Sequence, residues 1–237
     1  MQISCKDCGS FKLVRNRKAR NHQRYKCKEC GLSFIEGDRR QKTPVEAQAL
    51  AVLLYGMGKS SYGFIEKLFK VSRTAVYHWI RNFCEDIPPP QVPEGDYDIE
   101  FDEMWHYVTS KKTNSGKGQA LDRHEGKTVA WVTGHRNAKT FQRLYGKVKH
   151  VKGNFYTDDW EVYSKILPQE RHIIGKTGTT SIESDNANTR HHLGRMTRRT
   201  KVVSRSEHMV DLSLRLWSFL QEPDQFEIIR VKFVSLF

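Results

Sequence analysis

"GNFYTDDWEVYSKIL", residues 153–167, reads as a buried strand that ends at Thr157-Asp158 and is followed by a helix. On its amino side, "AKTFQRLYGKVKH" (138–150) has helical spacing through Phe141, Leu144 and Val148. On its carboxyl side, "RHIIGKTG" (171–178) is a short strand, and "SIESDNANTRHHLGRMTRRTK" (181–201) supplies a helix. Further upstream, "YDIEFDEMWHYVTSKK" (97–112) alternates apolar and polar residues, the mark of a strand, and carries Asp102. "KTVAWVTGHR" (127–136) is another strand candidate, entered through the turn "RHEGK" (123–127). The order strand, strand, strand, helix, strand, helix, strand, helix predicts an α/β layer domain with a mixed sheet over residues 96–237.

Within that domain, residues 181–201 pose an electrostatic puzzle. Glu183 and Asp185 precede Arg190, Arg195, Arg198, Arg199 and Lys201, so acids stand at the mouth of a basic stretch. Strand ends and a flanking helix can bring Asp102, Asp158 and Glu183 to one point. Carboxylates converging unpaired are costly, so such a cluster calls for cations, and an oxygen-only donor set favours magnesium or manganese. Two ions about 3.5–4 Å apart assist in-line displacement at phosphorus. Arg190 lies two helical turns after Glu183, on the same helix face. By spacing alone the competing reading is a set of solvated surface acids.

Bulk properties agree with a polyanionic partner. The 237 residues carry a formal charge of +13, with 40 Lys and Arg against 27 Asp and Glu. No apolar run approaches the roughly 18–20 residues of a spanning helix. The start "MQISCKDCGS" lacks a signal peptide's apolar core, which predicts an intracellular, cytoplasmic protein. Five cysteines, an odd count, then argue for reduced thiols.

Four of those cysteines make a pattern. Cys5, Cys8, Cys27 and Cys30 form C-x2-C-x18-C-x2-C, with Gly9 and Gly31 directly after each pair. This is the spacing of a structural zinc site and predicts a zinc-ribbon module over residues 1–43. The block has few apolar side chains, so zinc would supply much of its folding free energy. Its segment "FKLVRNRKARNHQRYK" (11–26) is suited to phosphate contact. Cys84 stands apart and reads as a small core residue.

Residues 44–86 are expected to be a helix-turn-helix DNA-binding domain. Pro44 suits a first helical turn, "VEAQALAVLLYGM" (45–57) a first helix, and "SYGFIEKLF" (61–69) a second. Ser72 can cap a third, "RTAVYHWIRNF" (73–83), with Val76, Ile80 and Phe83 on its inner face. Arg73, Thr74, Tyr77, His78 and Arg81 are its candidate DNA contacts. A plain three-helix packing unit is the alternative. "EDIPPPQVPEG" (85–95) supplies a stiff Pro-rich linker over residues 87–95.

The segments "FDEMW" (101–105), "YTDDWEVY" (156–163) and "IESDNANTRHHLGRMTRRTKVVSRS" (182–206), behind the cysteine array and the three helices, resemble transposases of the insertion-sequence-one family. The resemblance covers nearly the whole chain. It implies a ribonuclease-H-like mixed sheet with flanking helices, holding an Asp-Asp-Glu triad and a following basic residue. Carried over, these are Asp102, Asp158, Glu183 and Arg190. The family's 24-residue interval before the Glu selects Asp158 over Asp159. Implied too are structural zinc, catalytic magnesium or manganese, double-stranded DNA (terminal inverted repeats and target) as partner, a homo-oligomer on DNA, and a bacterial, nucleoid-associated location.

The chain departs from the family at three points. One continuous chain carries both parts, where many relatives join two reading frames. "NSGKGQALD" (114–122) replaces an aromatic-rich segment, so a strand there is expected to be short or frayed, and Ser184 stands where a basic residue is usual. The expected activity is cleavage of element ends followed by strand transfer. Two rivals remain: a DNA-binding regulator with an inert catalytic domain, and a nuclease of the same fold without strand transfer. Near the carboxyl end, Ser204 and Glu207 have capping-box spacing for a core helix through Leu216, Trp217 and Leu220 that Pro223 ends. Trp105 and Trp160 are expected as buried packing beside the acids, and His135, His191 and His192 as exposed residues.

Overall fold

The computed structural model describes residues 3–6, 8–19, 21–35, 43–106, 108, 115–175, 178–197 and 204–234. The chain divides into two compact units, Met1–Pro44 and Val45–Phe237.

In the first unit, Leu13–Ala19 (β1), His22–Cys27 (β2) and Ser33–Ile35 (β3) form an antiparallel sheet in the order β1-β2-β3. Asn21 turns the first hairpin with φ of 64°, a region that a short polar side chain tolerates. Its core is Cys5, Cys27 and Phe34, flanked by Ile3, Leu13, Tyr25 and Leu32. At about 1.5–3 kcal/mol per large buried apolar side chain, so few residues cannot offset the ordering of the segment.

The second unit begins with Val45–Gly56 (α1), Tyr62–Phe69 (α2) and Arg73–Glu85 (α3). Ser61 and Ser72 cap α2 and α3, each side chain accepting the amide three residues on. Lys70, in the left-handed region, closes α2 with its amide donated to the Glu66 carbonyl. The Pro-rich stretch is tied down: the Ile87 carbonyl accepts from Arg215, and the Pro93 carbonyl accepts from the Tyr97 hydroxyl.

Then come Ile99–Trp105 (β4), Ser115–Asp122 (β5), Lys127–His135 (β6), Ala138–Val148 (α4), Phe155–Thr157 (β7), Glu161–Ile166 (α5), His172–Ile174 (β8) and Thr180–His192 (α6). The sheet order is β6-β5-β4-β7-β8. β5 runs antiparallel to both of its neighbours, β4 and β6, whereas β7 and β8 run parallel to β4. β5, expected to be short or frayed, is a full eight-residue strand paired on both sides. Neighbours on either side satisfy its amides and carbonyls, which offsets the weak strand preference of its glycines.

Alternation along β4 sorts the two faces. Phe101 meets Phe141 of α4 and Tyr163 of α5, with ring centroids 5.1 and 6.3 Å apart. Met104 instead joins a core with Trp131, α1, α3 and Glu207–Gln221 (α7). Gly153 lets β7 come in beside β4, since a Cβ there would overlap the Tyr97 carbonyl.

Two details at the carboxyl end differ from expectation. The cap of α7 is Ser206, whose side chain accepts from the Met209 amide, while Ser204 is buried and bonded to His106 and Arg195. Pro223 ends α7 but also opens a further helix, Pro223–Val234 (α8), because a proline at a first helical position forfeits no internal hydrogen bond. No helix among the described residues is long and apolar enough to cross a membrane.

Candidate active site and cysteine cluster

Asp102 lies midway along β4, on the face covered by α6. Asp158 follows β7 directly. The parallel register pairs Ile99 with Phe155 and Glu100 with Tyr156, and carried two residues further it sets Asp158 level with Asp102. Glu183 sits exposed in the first turn of α6, where the positive end of the helix favours an acid.

Electrostatics links the three. Burial raises the Asp102 carboxyl above its ordinary value. The Glu103 amide and the Asn186 side chain pull it down, and the charges of Asp158 and Glu183 push it up again. Asn186 donates to Asp102 Oδ2 at 2.8 Å. Asp158 accepts the Trp160 amide at 3.1 Å and lies 3.9 Å from the Arg136 guanidinium.

Arg190 is at the other end of α6. Its guanidinium donates to the Trp105 carbonyl at 3.2 Å, so it borders the carboxyl end of β4. Arg195, read from sequence as part of the basic stretch, turns inward instead. It donates to Tyr55, Tyr62 and Ser204 at 2.7, 3.0 and 3.0 Å. Arg198, Arg199 and Lys201 lie outside the described residues.

Several residues here escaped the sequence reading. Glu100, fully buried, accepts the Ile182 amide at 2.8 Å and so takes the place of a side-chain cap on α6. Its place two residues before Asp102 put it on the same strand face, a signal that was available. Asn186 likewise falls three residues after Glu183 on the same helical stripe. Glu103 points the opposite way, accepting from the Tyr163 hydroxyl at 2.8 Å and pairing with Arg136 at 3.3 Å. Burial holds its carboxyl above the usual range, against the pull of Tyr163 and Arg136.

Two basic groups are dried by the fold. Lys117 is almost wholly buried 5.5 Å from the Trp131 ring, and burial lowers its ammonium to about 8. Burial also drops His106 to about 4, helped by Arg195 and Arg190. His192 stacks on Trp217 at 5.3 Å, so it is a packing residue rather than a free surface histidine. Trp105, expected to be buried, is 42 % exposed.

The cysteine cluster has a different geometry. The ligand atoms of Cys5, Cys8, Cys27 and Cys30 all lie within 4.8 Å of one another. The separations Cys5 to Cys30 and Cys8 to Cys27 are 3.5 and 3.6 Å, too long for disulfides and close to the edge of a tetrahedron with about 2.3 Å zinc–sulfur bonds. Gly9 and Gly31, at φ of 72° and 74°, donate their amides back to the Cys5 and Cys27 carbonyls and so form two matching turns. The Cys30 amide leads in lowering Cys27 to about 7. These residues can hold a zinc ion. Among the described residues this is the one group of three or more potential metal-binding side chains drawn so close.

On α3, Arg73, Thr74 and His78 are exposed, and Tyr77 and Arg81 are half-buried. Arg73 pairs with Glu66 and Arg81 with Glu85. Tyr77 meets Tyr62 edge-on.

Sequence comparison now gives the class. A family model described as IS1 transposase matches residues 98–219, which span β4 to α7. Insertion element IS1 protein InsB of Shigella flexneri is 34 % identical over 113 residues, covering 47 % of this chain and 86 % of the relative. Insertion element IS1 2 protein InsB of Escherichia coli (strain K12) is also 34 % identical over 113 residues, covering 68 % of its length. This chain belongs to the IS1 transposase family. A simian T-cell lymphotropic virus intasome, solved with the PP2A regulatory subunit B56 gamma, aligns at TM-score 0.34 and 13 % identity over 71 % of this chain and 68 % of that one. A likeness at that level defines neither fold nor chemistry.

Proposed function

We propose that this protein is a metal-dependent DNA transposase that binds the terminal inverted repeats of its element, cleaves at their ends and joins the freed ends to target DNA. Asp102, Asp158, Glu183 and Arg190 are its catalytic residues, on a ribonuclease-H-like domain. The observation that carries this reading is Asp102, half-buried on β4 and held by Asn186, with its carboxyl raised by burial and in part by both other acids. Such a group gains from a cation, and an all-carboxylate donor set fits magnesium or manganese.

Divalent ions held by Asp102, Asp158 and Glu183 would supply positive charge to the reacting phosphate and its attacking and leaving oxygens. Asn186 fixes the Asp102 carboxylate, and Glu100 anchors the start of the helix that carries Glu183. Arg190, held at the Trp105 carbonyl, is suited to gripping a neighbouring phosphate. Residues 1–43 would act as a zinc-ribbon module, and residues 44–86 as a helix-turn-helix with Arg73, Thr74, Tyr77, His78 and Arg81 toward DNA. Residues 87–95 link these to the catalytic domain at 96–237. Two element ends must be processed together, which calls for a homo-oligomer on DNA, in a nucleoid-associated bacterial setting.

The test is a joining assay with a labelled element end, a plasmid target and magnesium. Asp102→Asn is expected to abolish joining while repeat binding stays within a few-fold of wild type. Joining by that variant would overturn the assignment of the triad.

A further inference from the structure

The face of the sheet opposite Asp102 carries a slot that the proposed chemistry does not use. Register explains it. Trp105 of β4 pairs with Gly116 of β5, which pairs with Gly134 of β6, so one row across three strands offers an indole beside two bare glycines. The next row, Glu103, Gly118 and Val132, continues the floor. Phe141 and Leu144 of α4 and Trp160 ahead of α5 form the walls. Counted to its mouth with the open solvent there included, the slot encloses about 390 Å³.

Its chemistry suits a flat, weakly polar ring. The indoles of Trp105 and Trp160 line it, and the Arg136 guanidinium lies 4.5 Å over the Trp160 ring. The same guanidinium reaches Asp158, so the slot's rim and the acidic site share a side chain. Trp105 is three residues beyond Asp102, roughly 10 Å along a strand, and its carbonyl accepts from Arg190. A base within a few nucleotides of a phosphate at Asp102 would therefore reach the slot once out of its stack.

Resting on the transposase reading, we propose that this slot receives one base unstacked from the DNA beside the reacting phosphate, held by Trp105 and Trp160 with Arg136 at its edge. Aromatic stacking is sequence-tolerant, and removing a base from the duplex costs least where pairing is already disturbed, as at a cleaved end.

The test uses the full chain with duplex carrying the element's own end, 5-iodouracil placed singly at positions flanking the cleavage site, and near-ultraviolet crosslinking. Gly116→Val fills the slot, at a position with ordinary φ where an added Cβ meets nothing nearer than 3.5 Å. Crosslinks to Trp105 or Trp160 are expected at one position, falling about tenfold or more in Gly116→Val. Cleavage by Gly116→Val is expected to fall by about the same factor and to recover when that nucleotide is made abasic. Equal crosslinking by Gly116→Val, or crosslinks confined to other residues, would refute the slot. So would a change in oligomer mass in place of any crosslink, which would point to a protein side chain as occupant. Crosslinking is read without cleavage. Wild-type protein that crosslinks but never joins ends would therefore count against the transposase reading and not against the slot.

Discussion

The cysteine cluster and the acidic site are two answers to the problem of gathering anionic ligands. Thiols are neutral when protonated, so four sulfurs pack within 4.8 Å of one another on two short turns. The three carboxylates are each separately managed. Asp102 is bonded by Asn186, Asp158 by the Trp160 amide and Arg136, and Glu183 stays exposed at a helix start. On the function proposed above, the first arrangement would make a fold depend on a metal, and the second would have a rigid sheet hold acids in readiness for one.

The largest effect is expected at the thiols. Cys27→Ala, or zinc chelation, should unfold residues 1–43, since the core there is three buried residues. Loss of amide chemical-shift dispersion in that block, together with loss of specific footprints on element ends, is the readout. A folded block and unchanged footprints after chelation would break the contrast drawn above.

Next comes Asn186→Leu, which removes the donor to Asp102 without touching a carboxylate. Second-layer partners of metal ligands typically matter about 10–100-fold in metal affinity or activity, so the magnesium needed for half-maximal joining should rise by about that factor. An unchanged magnesium requirement would make Asn186 a packing residue only.

The smallest effect is on stability. The folded Asp102 carboxyl sits above its unfolded value, so its ionisation opposes folding at pH values above the folded pKa. In chelator, Asp102→Asn should therefore melt higher than wild type at about pH 7, and the difference should vanish by about pH 3, where the carboxyl is protonated in both states. A lower melting temperature at neutral pH would mean that Asp102 stabilises the fold and carries no strain from its neighbours.

Much of this was legible in the sequence because it depends on local periodicity. The strand with Asp102, the strand ending at Asp158 and the helix with Glu183 are where the spacing put them. The caps at Ser61 and Ser72 are local features as well. What the sequence hid depends on long-range contact. Arg195 stands in a basic run, yet three hydroxyls from α1, α2 and residue 204 draw it inside. Ser204 has capping-box spacing but is taken up by His106, leaving Ser206 to cap. β5 has poor strand composition and forms because two neighbours pair with it. The slot beside Trp105 arises from glycines in register across strands, which no one-dimensional pattern reports.

The most direct test of the central claim is a manganese titration of the intact protein followed by electron paramagnetic resonance, with wild type and Asp102→Asn side by side. Bound manganese that Asp102→Asn loses, with the cysteine module unaffected, is the predicted result. Equal manganese binding by both proteins would mean that these carboxylates do not hold the ion.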